Sequence, residues 1–158
     1  MKLTPQEKEN MQLFLPGTIS RDGFLGDDPR HVHEIVEADR RELDRLGVDQ
    51  EQVADRLAYF IEEGEKGLET TVDLGDFTSQ VRWQRGLILC PFGDKRRLPK
   101  LIATVCRKKE DRCIRFAKLN EHMIREHGFF EGRGSPFRLD PADLVRFLDI
   151  QSQNDTED

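Results

Sequence analysis

The segment 128–138, GFFEGRGSPFR, has the residue types of an anion site. Gly128, Gly132 and Gly134 free the backbone so that N–H groups can converge on an oxyanion. Arg133 and Arg138 add charge and forked donors. Phe129, Phe130 and Phe137 offer faces on which bases stack. A second stretch, PFGDKRRLP at 91–99, adds Lys95, Arg96 and Arg97 beside Gly93. The candidate anion-binding set is therefore Arg96, Arg97, Arg133, Arg138, Gly132, Gly134, Phe129 and Phe130. A competing reading gives the same residues structural jobs: phenylalanines anchor a loop, glycines make turns, and arginines pair with acidic helices. The spacing is not that of a P-loop.

Cys106, Cys113, His122 and His127, spaced C-x6-C-x8-H-x4-H, are the donor types of a tetrahedral zinc site. A hairpin turning at 108–111 would set Cys106 directly across from Cys113. The hairpin-then-helix order resembles a zinc finger, but the first two intervals depart from that pattern. Histidines five apart also point about 140° away from each other on an ideal helix. The expectation is thus two buried thiols, two surface histidines and no resident metal, with zinc on these four residues as the alternative. Cys90, a further thiol, ends an apolar strand and is remote in sequence. A strand-end thiol near Arg96 would have a lowered pKa, but no histidine partner is assigned to it, so burial as a structural cysteine is expected.

Other patterns carry less. If Pro29 opens a helix, His31 and His33 stand about 200° apart and cannot share an ion. Acidic residues around them suit a helix N-terminus on electrostatic grounds alone. Ser135, in G-R-G-S-P, has no nucleophile-elbow context. Leu46-Gly47-Val48-Asp49, with Val53 and Leu57, resembles the turn of helix-turn-helix DNA readers. Asp49, Glu51 and Asp55 would then meet phosphate with the wrong sign. Phe137 to Leu144, FRLDPADL, resembles the strand-to-helix close of excisionase-type winged-helix modules, which implies nucleic-acid contact.

Charge is sorted along the chain. Residues 1–78 hold 9 Lys+Arg against 19 Asp+Glu, residues 79–139 hold 15 against 6, and residues 140–158 hold 1 against 6. The overall −6 hides a basic middle. Such a block meets an external anion, or the acidic blocks of its own fold or of a sister chain. No apolar run reaches the ~18 residues of a membrane span, and the start of the chain has no signal-peptide core. A cytoplasmic protein with no membrane partner is expected. Three cysteines are too few for a secreted disulfide framework, so thiols are expected.

The elements that must position these residues follow from period and punctuation. Thr4-Pro5 opens a short helix to about Phe14, and the Gly/Pro-rich stretch 16–29 is a loop anchored by Phe24 and Leu25. Asp28-Pro29 starts a helix with Val32, Ile35, Val36, Leu43 and Leu46 on one stripe and Gly47 just past its end. Asp39 also falls on that stripe, which fits a buried, paired carboxylate. Asp49 and Gln52 form a capping box for the next helix, which Gly64 and Gly67 end. Period-two alternation over Leu68–Leu74, Phe77–Gln84 and an apolar run at 87–90 read as strands. Residues 100–118 fit either a helix or a hairpin of 101–107 with 112–118. The hairpin is favoured, because one helix of nearly thirty residues is long for a domain of this size. A helix over 119–127 stops at Gly128, and Asp140-Pro141 opens a last one.

The expected architecture is α+β: an acidic helical N-terminal part (1–66), then a mostly antiparallel sheet with C-terminal helices (68–150), one domain in all, and a disordered tail at 151–158. The leading functional expectation is a non-enzymatic binding module that contacts an anionic macromolecule, nucleic acid or acidic protein, through 79–139. The rivals are an adaptor whose basic block pairs with its own or a homo-oligomer mate's acidic helices, and a zinc protein or enzyme built on Cys106, Cys113, His122 and His127.

Overall fold

The computed structural model describes residues 11–153. Most of the helix expected from Thr4 therefore lies outside the described residues, as does the tail from Asn154 onward. Gln153 is not loose: its backbone N–H donates to Gly47 O.

Helix α1, Val32–Leu46, buries Val32, Ile35, Asp39 and Leu43 on one stripe and ends where Gly47 turns left-handed. Its N-cap is His31, whose side chain accepts from the His33 N–H. Asp28, expected to open this helix, instead takes the Arg30 backbone N–H and guanidinium. Helix α2, Gln50–Glu65, starts on the expected Asp49–Gln52 capping box. Gly64 does not end it. It sits inside the last turn, where a Cβ would come within 2.6 Å of Ser79 and Val81, so its bare backbone lets α2 lie flat on the sheet.

The strands are β1 (Val72–Asp73), β2 (Phe77–Leu89), β3 (Arg97–Arg107) and β4 (Arg112–Ala117), in spatial order 1-2-3-4 and antiparallel throughout. Hairpin β3–β4 resolves the ambiguity of residues 100–118, and the α+β class with N- and C-terminal helices is as expected. The strand expected over Leu68–Leu74 shrinks to two residues. Leu68 and Glu69 take left-handed backbone (φ 49° and 71°) because the chain must turn off the end of α2. The two expected strands at 77–84 and 87–90 are one long β2 with a bulge between Trp83 and Leu87.

Phe77, Ser79, Val81, Leu101, Ala103, Val105 and Phe116 form the buried face of the sheet, against Leu57, Phe60 and Ile61 of α2. Helix α3, Lys118–His127, follows β4 directly, and α4, Pro141–Phe147, is capped by Asp140 with Pro141 in its first turn. A second apolar cluster holds Phe14, Phe24, Leu25, Val32, Ile35, Cys90, Leu98, Leu119, Met123 and Phe129. Helices α1 and α3 feed both clusters. Among the described residues no helix is long and apolar enough to cross a membrane.

Candidate metal centre

The second cluster places the chemistry. Strand β2 runs out of the sheet at Leu89, and Cys90, fully buried, seats its thiol among Phe14, Leu98 and Met123. The chain then turns through Pro91-Phe92-Gly93, with the Cys90 N–H bonded to Arg96 O, and this tight loop swings Asp94 back over Cys90. From the other side α3 presents His122 and, in its last turn, His127.

Both imidazoles aim Nε2 at the same atom. His122 Nε2 and His127 Nε2 each lie 2.8 Å from Asp94 Oδ2. The donor atoms of Cys90, Asp94, His122 and His127 all fall within 4.8 Å of one another. The His122 side chain is 5% exposed, His127 21% and Asp94 24%. Phe92 stacks on His127 with ring centroids 4.1 Å apart and fixes its orientation. The 140° separation of the two histidines on a helical wheel does not keep them apart: both reach Asp94 Oδ2, His127 from the last residue of α3.

Burial pushes the Cys90 thiol up to about 12, reinforced by the neighbouring Asp94 charge. Burial also pushes the Asp94 carboxyl up. The Arg96 N–H and the bonds from His127, His122 and Cys90 outweigh it and hold the carboxyl well below the usual range. The expectation of a buried Cys90 holds: Arg96 acts to lower its pKa, but burial dominates.

Two of the four expected zinc ligands are elsewhere. Cys106 and Cys113 face each other across β3–β4 as the hairpin requires, but they are joined in a disulfide. By strand alternation they lie on the face opposite Ala103 and Val105, away from the core. The expectation of thiols therefore holds for Cys90 alone. His122 and His127, expected at the surface, are buried and half-buried against Asp94. Cys90 is remote from them in sequence, and their spacing does not point to Asp94; the signal for both is C-x3-D in a Gly-Pro turn after an apolar run, matched to H-x4-H on a helix.

The candidate anion residues are dispersed. Phe129 and Phe130 are 0% and 1% exposed and offer no ring face to a base. At Gly132 a Cβ would lie 2.2 Å from Leu25 O, and at Gly134 2.4 Å from Asp27 Oδ1, so these glycines admit the loop Leu25–Asp27, not an anion. Arg138 is clamped to Asp39 of α1, the paired carboxylate that the stripe suggested, and also donates to Glu131 O. Arg133 is exposed and lines a shallow hollow with Arg30, Asp39, Glu42 and Arg138. Arg96 and Arg97 do not line that hollow; they follow Asp94 toward β3.

Glu131 is the unexpected member of this segment. It is 4% exposed, left-handed (φ 68°), and accepts from Asn120 Nδ2 and Ser135 Oγ. Burial pushes its carboxyl up to about 7 from an ordinary 4.5, against those two bonds and the Arg138 charge. The folded state therefore holds this proton more tightly than the unfolded one. The stabilisation is whole below pH 4.5 and is lost as pH rises through 7, on the order of 3 kcal/mol. Urea denaturation from pH 4.5 to 8 should show Glu131→Gln gaining on the wild type across that window. A constant difference between the two proteins would contradict it.

No family model, curated protein or solved structure matches this chain. The functional reading accordingly stands on the site itself.

Proposed function

We propose that this protein is a zinc-stapled binding module. Cys90 Sγ, the Asp94 carboxylate and the Nε2 atoms of His122 and His127 hold one Zn2+, which ties the Cys90–Arg97 loop to α3. The observation that carries this reading is the convergence of two imidazoles on one carboxylate oxygen beside a buried thiol. Ordinary zinc bonds of about 2.0–2.3 Å put tetrahedral donors roughly 3.3–3.7 Å apart. The two 2.8 Å histidine–carboxylate contacts therefore need to open by less than about 1 Å, and the wider pairs, all within 4.8 Å, to close by no more than about 1.5 Å. Thiolate with two imidazoles favours zinc over the hard, oxygen-seeking cations. Four protein donors complete the tetrahedron, whereas a catalytic zinc keeps one position open for water. The role is therefore structural: the ion fixes the loop from which Lys95, Arg96 and Arg97 project.

Elemental analysis is the test. Protein purified without chelator should carry about one zinc per chain. Cys90→Ser and His122→Ala should each lose most of it, while Cys106→Ser with Cys113→Ser should keep it. A folded wild-type protein that neither carries nor takes up Zn2+ overturns the proposal.

A second reading, that the basic block serves the fold's own acidic parts, has support in part of that block. Arg107 pairs with Asp149, Lys108 with Asp73, Arg112 with Asp143, Arg125 with Asp55 and Glu121, and Arg138 with Asp39. These cations tie the β3–β4 hairpin, α3 and the segment before α4 to acidic residues of α1, α2, β1, α4 and the segment after it.

A further inference from the structure

Six further cations of the basic block are arranged differently. Arg82, Arg85, Lys95, Arg96, Arg97 and Lys100 are all exposed, and none has a carboxylate partner among the described residues. They line the part of the β2–β3 ribbon that runs past the short β1, and the loop that closes it. Among the described residues no strand pairs with the outer side of β2 beyond Ser79. Trp83 and Leu87, 41% and 58% exposed, stand on the same stretch. Glu69 accepts from the Trp83 backbone N–H, and Asp94 in the closing loop accepts from the Arg96 backbone N–H.

At the inner end of this ribbon lies a cleft of about 330 Å3. Gln84, Ile88 and Ile102 line its ribbon side, Phe137 lies opposite, Lys100 adds an unpaired cation, Arg21 is paired with Asp22 at its mouth, and the buried Glu131 also lines it. Its surface is mostly apolar with a few polar groups, and its size is at the small end for ligand pockets. Unpaired cations along an open-edged ribbon, an exposed indole on one of its faces and an apolar cleft on the other match a flexible polyanion whose flat rings are free to unstack.

We propose that the β2–β3 ribbon binds single-stranded nucleic acid. Phosphates lie along Arg82 and Lys100 on the face that carries the cleft, where one base enters beside Gln84 and Phe137. The strand then crosses the open edge of β2 at Arg85, and a base further along stacks on Trp83, which alternation sets on the opposite face. A duplex would present phosphates but no free base face to Trp83 or the cleft. An acidic polypeptide would offer charge without rings. This surface is built on strand residues and does not depend on the metal reading.

The chain has a single Trp, so its own emission reports on the site. Titration of the full-length protein with a mixed-sequence single-stranded 20-mer at 50 mM salt should quench that emission and raise the anisotropy of a labelled strand. Affinity should fall steeply by 200 mM salt. Trp83→Ala should weaken binding roughly 5- to 150-fold while leaving the salt slope unchanged. Arg82→Ala with Arg85→Ala and Lys100→Ala should lower the slope of log K against log salt by about 2. All four positions are exposed, and an unchanged melting temperature would confirm that these variants fold. Absence of binding at 50 mM salt overturns the proposal. So does equal affinity for a duplex of the same length, or for polyglutamate, without quenching of Trp83.

Discussion

Chelation should lower the melting temperature of this protein by roughly 8–16 °C. A ligand that binds only the folded state stabilises it by about 4 kcal/mol at a thousand times its dissociation constant. For a chain of this length each kcal/mol moves the midpoint by about 2–4 °C. Unlike an isolated zinc finger, this fold has two apolar clusters of its own, so the metal-free protein should melt lower and still fold. His122→Ala should melt near the chelated wild type and respond little to EDTA. Replacement of both Cys106 and Cys113 by Ser should leave the EDTA response intact, because the disulfide lies on the far face of the sheet. A wild-type midpoint indifferent to EDTA and to added Zn2+ would contradict a structural ion.

Arg138→Ala should cost about 3–5 kcal/mol, measured by urea denaturation. The substitution leaves the Asp39 carboxylate, 8% exposed on the core stripe of α1, without its cation, and leaves Glu131 O without the Arg138 donor. Removal of one partner of a buried pair is far more damaging than loss of both. Asp39→Ala with Arg138→Ala should therefore be less destabilised than the sum of the two single variants. Arg97→Ala, on the unpaired ribbon, should change stability by less than about 0.5 kcal/mol. The contrast between these two arginines separates the cations that hold the fold from those that face solvent.

Local signals were reliable where one residue decides the outcome. The Asp49–Gln52 capping box, the Gly47 and Gly128 helix ends and the Asp140-Pro141 start read directly from the chain, whereas residues 100–118 fit a helix as well as the hairpin they form. Alternation alone misled at Leu68–Leu74, because the geometry of leaving α2 overrode the period. Asp39 on an apolar stripe correctly announced a buried pair, but nothing local could name Arg138, 99 residues away, as its partner. The metal quartet failed for the same reason. His122 and His127 were visible as a pair, and Cys106 and Cys113 seemed their natural complement because they are near in sequence. The fold instead brings Cys90 and Asp94, and only the packing of the second apolar cluster dictates that. Arg133 and Arg138 were grouped with Arg96 and Arg97 by composition, although glycine packing against Leu25 and Asp27 ties the former pair to α1.

The irregularity in β2 has a consequence for how copies of this chain meet one another. An unpaired strand flank is a template on which an identical strand can zip up. Here that flank carries Arg82 and Arg85, and the register slip between Trp83 and Leu87 twists it out of flatness. Two such flanks brought side by side would repel and mismatch, so fibril growth along this border is blocked by the same arginines and kink that leave it open to a different guest.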